Sequence, residues 1–260
     1  HGESYLALAG VRFQGADLLG AVKTLGRALT LSPDLADAHE LLGRILVETG
    51  PIREGLSRLI RARSLDPGLF RTLAEQARTY ALLGDFDRAH RVLADPSLTG
   101  GSFAIQWILR GRLCLWSGDQ RRAKEYLAHP EITQGKYPRA RLLLEVAAGF
   151  LQTDPQTVLS AGLHSDRSSP RGRTFLFQVH AELYSAYGQP ELAIRSVARS
   201  VDAGLADLTW IERCPLLIPL ASDLRLIALR RIVYARAYAI REALGTIPPI
   251  GGEMRASESR

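Results

Sequence analysis

Apolar residues recur along this chain every three to four positions, and no stretch alternates cleanly with a period of two. That spacing places them on one face of successive helices and predicts almost no strand. The helical segments are broken at regular intervals. Glycine falls at Gly50, Gly84 and Gly118, each step being 34 residues, and Pro33 and Pro67 are 34 apart as well. A fixed period of this length marks a chain that stacks copies of one small unit.

Other positions keep the same register. Ala89 and Ala123 follow their glycines by five residues, with Gly55 in the equivalent slot, and Leu59, Leu93 and Leu127 follow by nine. Asp85 and Asp119 directly follow theirs, and Tyr5, Leu73 and Trp107 stand upstream. Each unit reads as a helix, a glycine turn, and a second helix with a small residue where the two cross. Only a small side chain lets helix axes approach to ~8–10 Å. The glycine suits a left-handed helix end, and the proline blocks continuation of the second helix.

These residues resemble the tetratricopeptide repeat. Leu42-Gly43, Gly50, Leu59, Ala62 and Pro67 carry one copy. Tyr80, Gly84, Ala89 and Leu93 carry another, as do Trp107, Gly111, Gly118, Ala123 and Leu127. A later copy reads Phe177, Ala181, Tyr184, Gly188 and Ala193. The first copy spans roughly 1–33, with Ala16 where glycine would be. Between Gly118 and Gly188 there is room for one longer unit, with its turn near Thr153-Asp154-Pro155. The resemblance implies an all-α, right-handed solenoid of about six helix pairs over residues 1–204.

After Gly204 the period stops. Residues 205–245 are expected to cap the open end of the array, ending in a long helix from Ser222 to about Leu244 with Gly245 as its stop. Leu224, Ile227, Ala228, Leu229, Ile232, Ala235 and Ala239 give that helix a broad apolar face. Residues 246–260 are polar and glycine-containing, and are expected to be disordered. The string Ala203-Gly204-Leu205-Ala206-Asp207 with Trp210, then Pro215-Leu216, Pro219-Leu220 and Asp223, resembles the ends of tetratricopeptide regions in multidomain bacterial signalling proteins. In those proteins the region follows a Ser/Thr kinase, an adenylate cyclase or a transcription-regulator module. Here Cys214 replaces an Asp of that pattern, and Leu224-Arg225-Leu226 replaces its Pro-x-Phe.

Composition narrows the function classes. No apolar run reaches ~18 residues, so no membrane span is expected. His1-Gly2-Glu3 opens directly into a repeat, so no signal peptide is read. Cys114 and Cys214 lie far apart with no ligand spacing and read as buried, reduced thiols of a cytoplasmic protein. The net charge is +6 with only three lysines, Lys23, Lys124 and Lys136. The arginines are scattered rather than blocked, so nucleic acid is not the expected partner. A transcriptional regulator module using this basic surface is the alternative reading. No phosphate loop, nucleophile elbow or metal-ligand spacing occurs, and the expectation is a non-enzyme without cofactor or metal.

One constellation stands out. Arg44, Arg78 and Arg112 are also 34 apart, on the first helix of three successive units. In the family the first helices line the concave face, so the resemblance implies an arginine ladder in a groove. Such forks suit carboxylate or phosphate, pointing to an acidic or phosphorylated peptide, or to a neighbouring domain of the same protein. Glu40 and Glu75 lie at spacings that allow pairing with the arginines instead. Further along, the register turns Ile105, Ile108, Leu109, Leu115, Trp116, Leu143, Leu144 and Phe150 inward. That stripe is either filled by the chain itself, covered by an apolar partner, or out of register. The candidate partner-binding residues are thus Arg44, Arg78, Arg112, Trp116, Leu109, Leu143 and Phe150, in a protein-protein interaction module.

Overall fold

The computed structural model describes residues 1–95, 104–150, 169–245 and 247, and is all-helical among them. Helices pair in chain order. Helix α1 (Gly2–Gln14) packs on α2 (Leu18–Leu31), α3 (Ala36–Thr49) on α4 (Ile52–Leu65), and α5 (Arg71–Leu82) on α6 (Phe86–Leu93). Helix α7 (Ala104–Ser117) packs on the shorter α8 (Gln120–Leu127) and more extensively on α10 (Pro138–Ala147), with a single turn, α9 (Pro130–Thr133), between them. Helices α11 (Pro170–Ala186) and α12 (Pro190–Asp202) form the last hairpin. Then come the short α13 (Leu208–Arg213), a 3-10 turn at Ile218–Leu220, and α14 (Leu224–Leu244). The expected turn near Thr153-Asp154-Pro155 lies outside the described residues, as does the tail from 246 except Ile247.

The turns explain the period. Gly50, Gly84, Gly118 and Gly188 all have positive φ, between 67° and 117°. Ala16 holds the same place in the first hairpin and takes φ 61°, alone among the described non-glycine residues. An L-side chain is disfavoured there by ~1–2 kcal/mol. Asp17, Asp85 and Asp119 then cap the second helices, accepting from the backbone N–H of Gly20, Arg88 and Arg122. Each such cap contributes ~1 kcal/mol.

Small residues set the helix crossings. A Cβ on Gly55 would lie 2.6 Å from Val47 Cγ1, and one on Gly43 would lie 2.9 Å from the Gly55 carbonyl oxygen. Helices α3 and α4 therefore touch almost backbone to backbone. Ala89, Ala123 and Ala193 occupy the corresponding crossings and are fully buried.

The chain then closes on itself. Helix α14 packs against α2, α3 and α12, while α13 lies against α3 and α5 and α11 touches α1. Trp210 of α13, fully buried, sits in one core cluster with Leu73 and Tyr80 of α5, Leu109 and Trp116 of α7, and Val197 of α12. The buried face of α14 is Leu226, Val233, Ala237 and Ile240. This differs from the expected face: Leu224, Ala228, Ile232, Ala235 and Ala239 are exposed. Apolar residues occur on more than one side of this helix, and its contacts with α12, α2 and α3 decide which stripe is buried. The cap residue also differs, being Asp223 in place of Ser222, because Asp223 Oδ1 accepts from the Arg225 N–H.

Candidate functional site

The later segments meet helices α3, α5 and α7 through buried ionic contacts. Arg78 of α5 pairs with Asp207, which begins α13. Asp207 also accepts from Gln178 Nε2 at 3.2 Å and, as cap of α13, from the Trp210 N–H at 2.9 Å. Arg112 of α7 forks onto Glu182 of α11, with Nε to Oε2 at 2.9 Å and Nη2 to Oε1 at 2.6 Å. Trp210 Nε1 donates to the same Oε1 at 2.7 Å. Thr209 Oγ1 donates to the Val47 carbonyl at 2.6 Å. The segment from Asp207 to Trp210 is thus fixed to α3, α5 and α11 at once.

Two further pairs complete the set. Arg171 of α11 pairs with Glu48 of α3. Arg44 lies 3.2 Å from Glu75 Oε1 through its Nε and 3.5 Å from Glu40 Oε1 through Nη1. Phe13 lies between two guanidiniums, with Arg44 at 4.8 Å and Arg171 at 4.7 Å from its ring centre. Arg112 similarly sits over Trp116 at 4.9 Å and Phe175 at 5.2 Å. Four arginines therefore meet five carboxylates, Glu40, Glu75, Asp207, Glu182 and Glu48, in one buried network.

The carboxylates respond differently to burial. Burial pushes the Glu48 carboxyl up, and Arg171 only partly offsets it. Burial also acts upward on Glu75, but Arg44, Arg78, Arg171 and Arg112 together outweigh it and hold its carboxyl below the usual range.

A cavity of about 220 Å3 remains inside this network. Arg44, Arg78, Arg112 and Arg171 line it with Glu48, Glu75 and Asp207, and Phe13, Ile105, Ile108, Leu109 and Phe175 supply apolar walls. A second hollow of about 90 Å3, between Gly68 and Ala74, shares Ala74 and Ile105 with the first. The two hollows adjoin at Ala74 and Ile105, near the start of α5.

Of the residues singled out from sequence, Arg44, Arg78, Arg112 and Leu109 come together at this cavity. Trp116 is buried against Arg112 in the core behind it. Leu143 is buried against the Gly111 backbone, where a Cβ would meet Leu143 Cβ at 2.7 Å. Phe150 is 60 % exposed and lies beside Lys124, away from the cavity. The reading from sequence missed Glu48, Arg171, Glu182 and Asp207 as members of the site. Glu182 was legible: it precedes Gly188 by six residues, the interval that separates each ladder arginine from its own glycine.

The described residues contain no cluster of three or more metal-ligating side chains and no helix long and apolar enough to cross a membrane. Burial raises the Cys114 thiol to about 12 and Cys214 well above its ordinary value, so neither thiol ionises near neutral pH. No protein-family model and no curated protein sequence matches the chain.

Proposed function

We propose that the chain is a binding module without chemistry of its own, built as a right-handed tetratricopeptide-type solenoid of six helix pairs. Its partner is a peptide or a neighbouring domain, and it forms the regulatory part of a larger bacterial signalling protein. The two adjoining hollows beside the ion network carry this reading. Residues Leu208, Trp210, Ile211, Cys214 and Leu217 pack in one cluster with α5 and α7, and the two hollows lie beside the ion network. The larger one is below the ~300–1,000 Å3 of drug-sized sites, so it receives one side chain while the adjoining hollow takes a second. The network supports binding over catalysis because its guanidiniums stay protonated at any working pH and its carboxylates are committed to them.

The test is selection of peptides from a displayed random library on the intact chain and on an Ile105→Trp variant. Ile105 is 45 % exposed and walls both hollows, so tryptophan obstructs them without entering the core. A peptide motif enriched by the intact chain and weakened at least about tenfold by Ile105→Trp supports the reading. Equal enrichment by both proteins, or none by either, overturns it.

A further inference from the structure

Helix α14 turns one stripe to the body and leaves the rest of its circumference open. The buried stripe is Leu226, Val233, Ala237 and Ile240. On the outer side Leu224 is 81 % exposed, and Ile232, Tyr234 and Tyr238 are about half exposed. Ala228, Ala235 and Ala239 are exposed beside them. Large exposed apolar side chains gathered on one helix mark a contact surface, whereas scattered ones do not.

The spacing on that side fits another helix. Leu224, Ala228, Arg231, Ala235 and Tyr238 follow one another at steps of four, three, four and three residues. That is the seam of a two-helix coiled coil, in which each side chain enters a gap between residues of the facing helix. Alanine at positions 228 and 235 lets the two axes approach to ~8–10 Å. A membrane surface favours the reverse, bulky Trp, Phe and Leu on the apolar face.

Charge selects which helix. Five arginines stand on α14 against a single glutamate, Glu242. Three of them are engaged. Arg225 pairs with Glu191 and Asp223, Arg236 donates to the Val201 and Leu205 carbonyls, and Arg241 lies over the rings of Tyr234 and Tyr238. Arg230 and Arg231 are exposed, and neither forms an ion pair among the described residues. No Asp or Glu stands three or four residues from either along the helix, where a pair could form. Arg231 lies in the seam itself. A facing helix that brings Asp or Glu there gives it a partner. A neutral or basic helix would cover its charge without one, and an uncompensated buried charge is strongly unfavourable. A second copy of this chain would set the same arginine-bearing face against itself.

We propose that the outer side of α14 docks an acidic amphipathic helix of a partner protein, with apolar side chains along the seam and carboxylates at Arg230 and Arg231. No residue of α14 lines either hollow at Ile105, so this surface is separate from the one proposed above.

The experiment measures the fluorescence anisotropy of labelled peptides of about 20 residues, long enough to hold a helix. One carries Leu in a four-three repeat flanked by Glu, the second has Lys for every Glu, and the third is the first in scrambled order. The intact chain is expected to bind the Glu peptide at least about tenfold more tightly than either control, and Ala235→Glu to weaken that binding about tenfold. The double variant Arg230→Glu, Arg231→Glu is expected to prefer the Lys peptide. All three replaced side chains are exposed, and melting curves check that the variants fold. Equal binding of the Glu peptide and either control, no binding, unchanged affinity in Ala235→Glu, or a double variant that keeps the original preference overturns the proposal. Two results would assign the face to another occupant and also overturn it: sedimentation with phosphatidylserine vesicles that Ala235→Glu abolishes, or self-association that Ala235→Glu abolishes. Ile105→Trp is expected to leave the affinity for the Glu peptide unchanged, and a tenfold loss there would move the contact to the hollows and refute docking on α14. Glu-peptide binding that persists in Ile105→Trp, with no Ile105-dependent peptide selected, defeats the reading of the hollows alone.

Discussion

Arg78 and Asp207 stand 129 residues apart in the chain and are both more than nine-tenths buried. Removing one partner of such a pair is costly because the other charge stays behind, typically by ~3–5 kcal/mol, whereas replacing both is far milder. Arg78→Met and Asp207→Asn are each expected to destabilise by roughly that amount; asparagine keeps an acceptor for the Trp210 N–H. The double variant should lose much less than the sum. Urea unfolding of the four proteins measures the coupling, and additivity within ~0.5 kcal/mol would mean the two residues do not act as a unit. The arginines were legible in sequence through their shared 34-residue step. Of their partners, Glu40 and Glu75 were read from helix spacing, and both meet Arg44, whereas Glu182 and Asp207 were not read. Glu182 sits in the ladder register, but the unit before it is two residues longer than the others, so its step from Arg112 is 70. Asp207 lies beyond the last period, where a repeat pattern places nothing.

At the scale of the hairpin, the turn glycines were legible because positive φ selects glycine almost irrespective of context. Ala16 is the informative exception, holding φ 61° with a side chain present. Its amide donates to the Phe13 carbonyl at 3.0 Å, so the turn is hydrogen-bonded despite the strain. Ala16→Gly is expected to stabilise by about 0.5–1 kcal/mol, the relief of backbone strain being partly offset by greater freedom in the unfolded chain. A melting temperature that rises by a few degrees fits this, and a fall would show that the Ala16 methyl packing near Gly204 matters more. Helix α14 was legible in extent but not in orientation. Leu226, Val233, Ala237 and Ile240 compete with an equally apolar stripe, and only tertiary contact decides between them.

Across the whole molecule, residues after Gly204 are part of the interior as well as a cover for the last hairpin. Trp210, Cys214, Val233 and Ala237 are each fully buried, and they share a cluster with α5, α6, α7 and α12. A chain ending at Gly204 would open this cluster and leave Arg78 without its carboxylate. It is expected to lose its cooperative melting transition and to aggregate on a sizing column; a monomer melting at the intact temperature would contradict that. The same long reach has a temporal consequence during synthesis. Ribosomes add ~5–20 residues per second, so roughly 6–26 s separate the appearance of Arg78 from that of Asp207. Until then Arg78 lacks the carboxylate that it meets in the finished molecule, while Arg44 already has Glu40 and Glu75 from the early hairpins. Delivery of α11 and then of the Asp207–Trp210 stretch supplies the partners of Arg112 and Arg78, so a ribosome stalled before Asp207 would display a surface that the finished molecule covers.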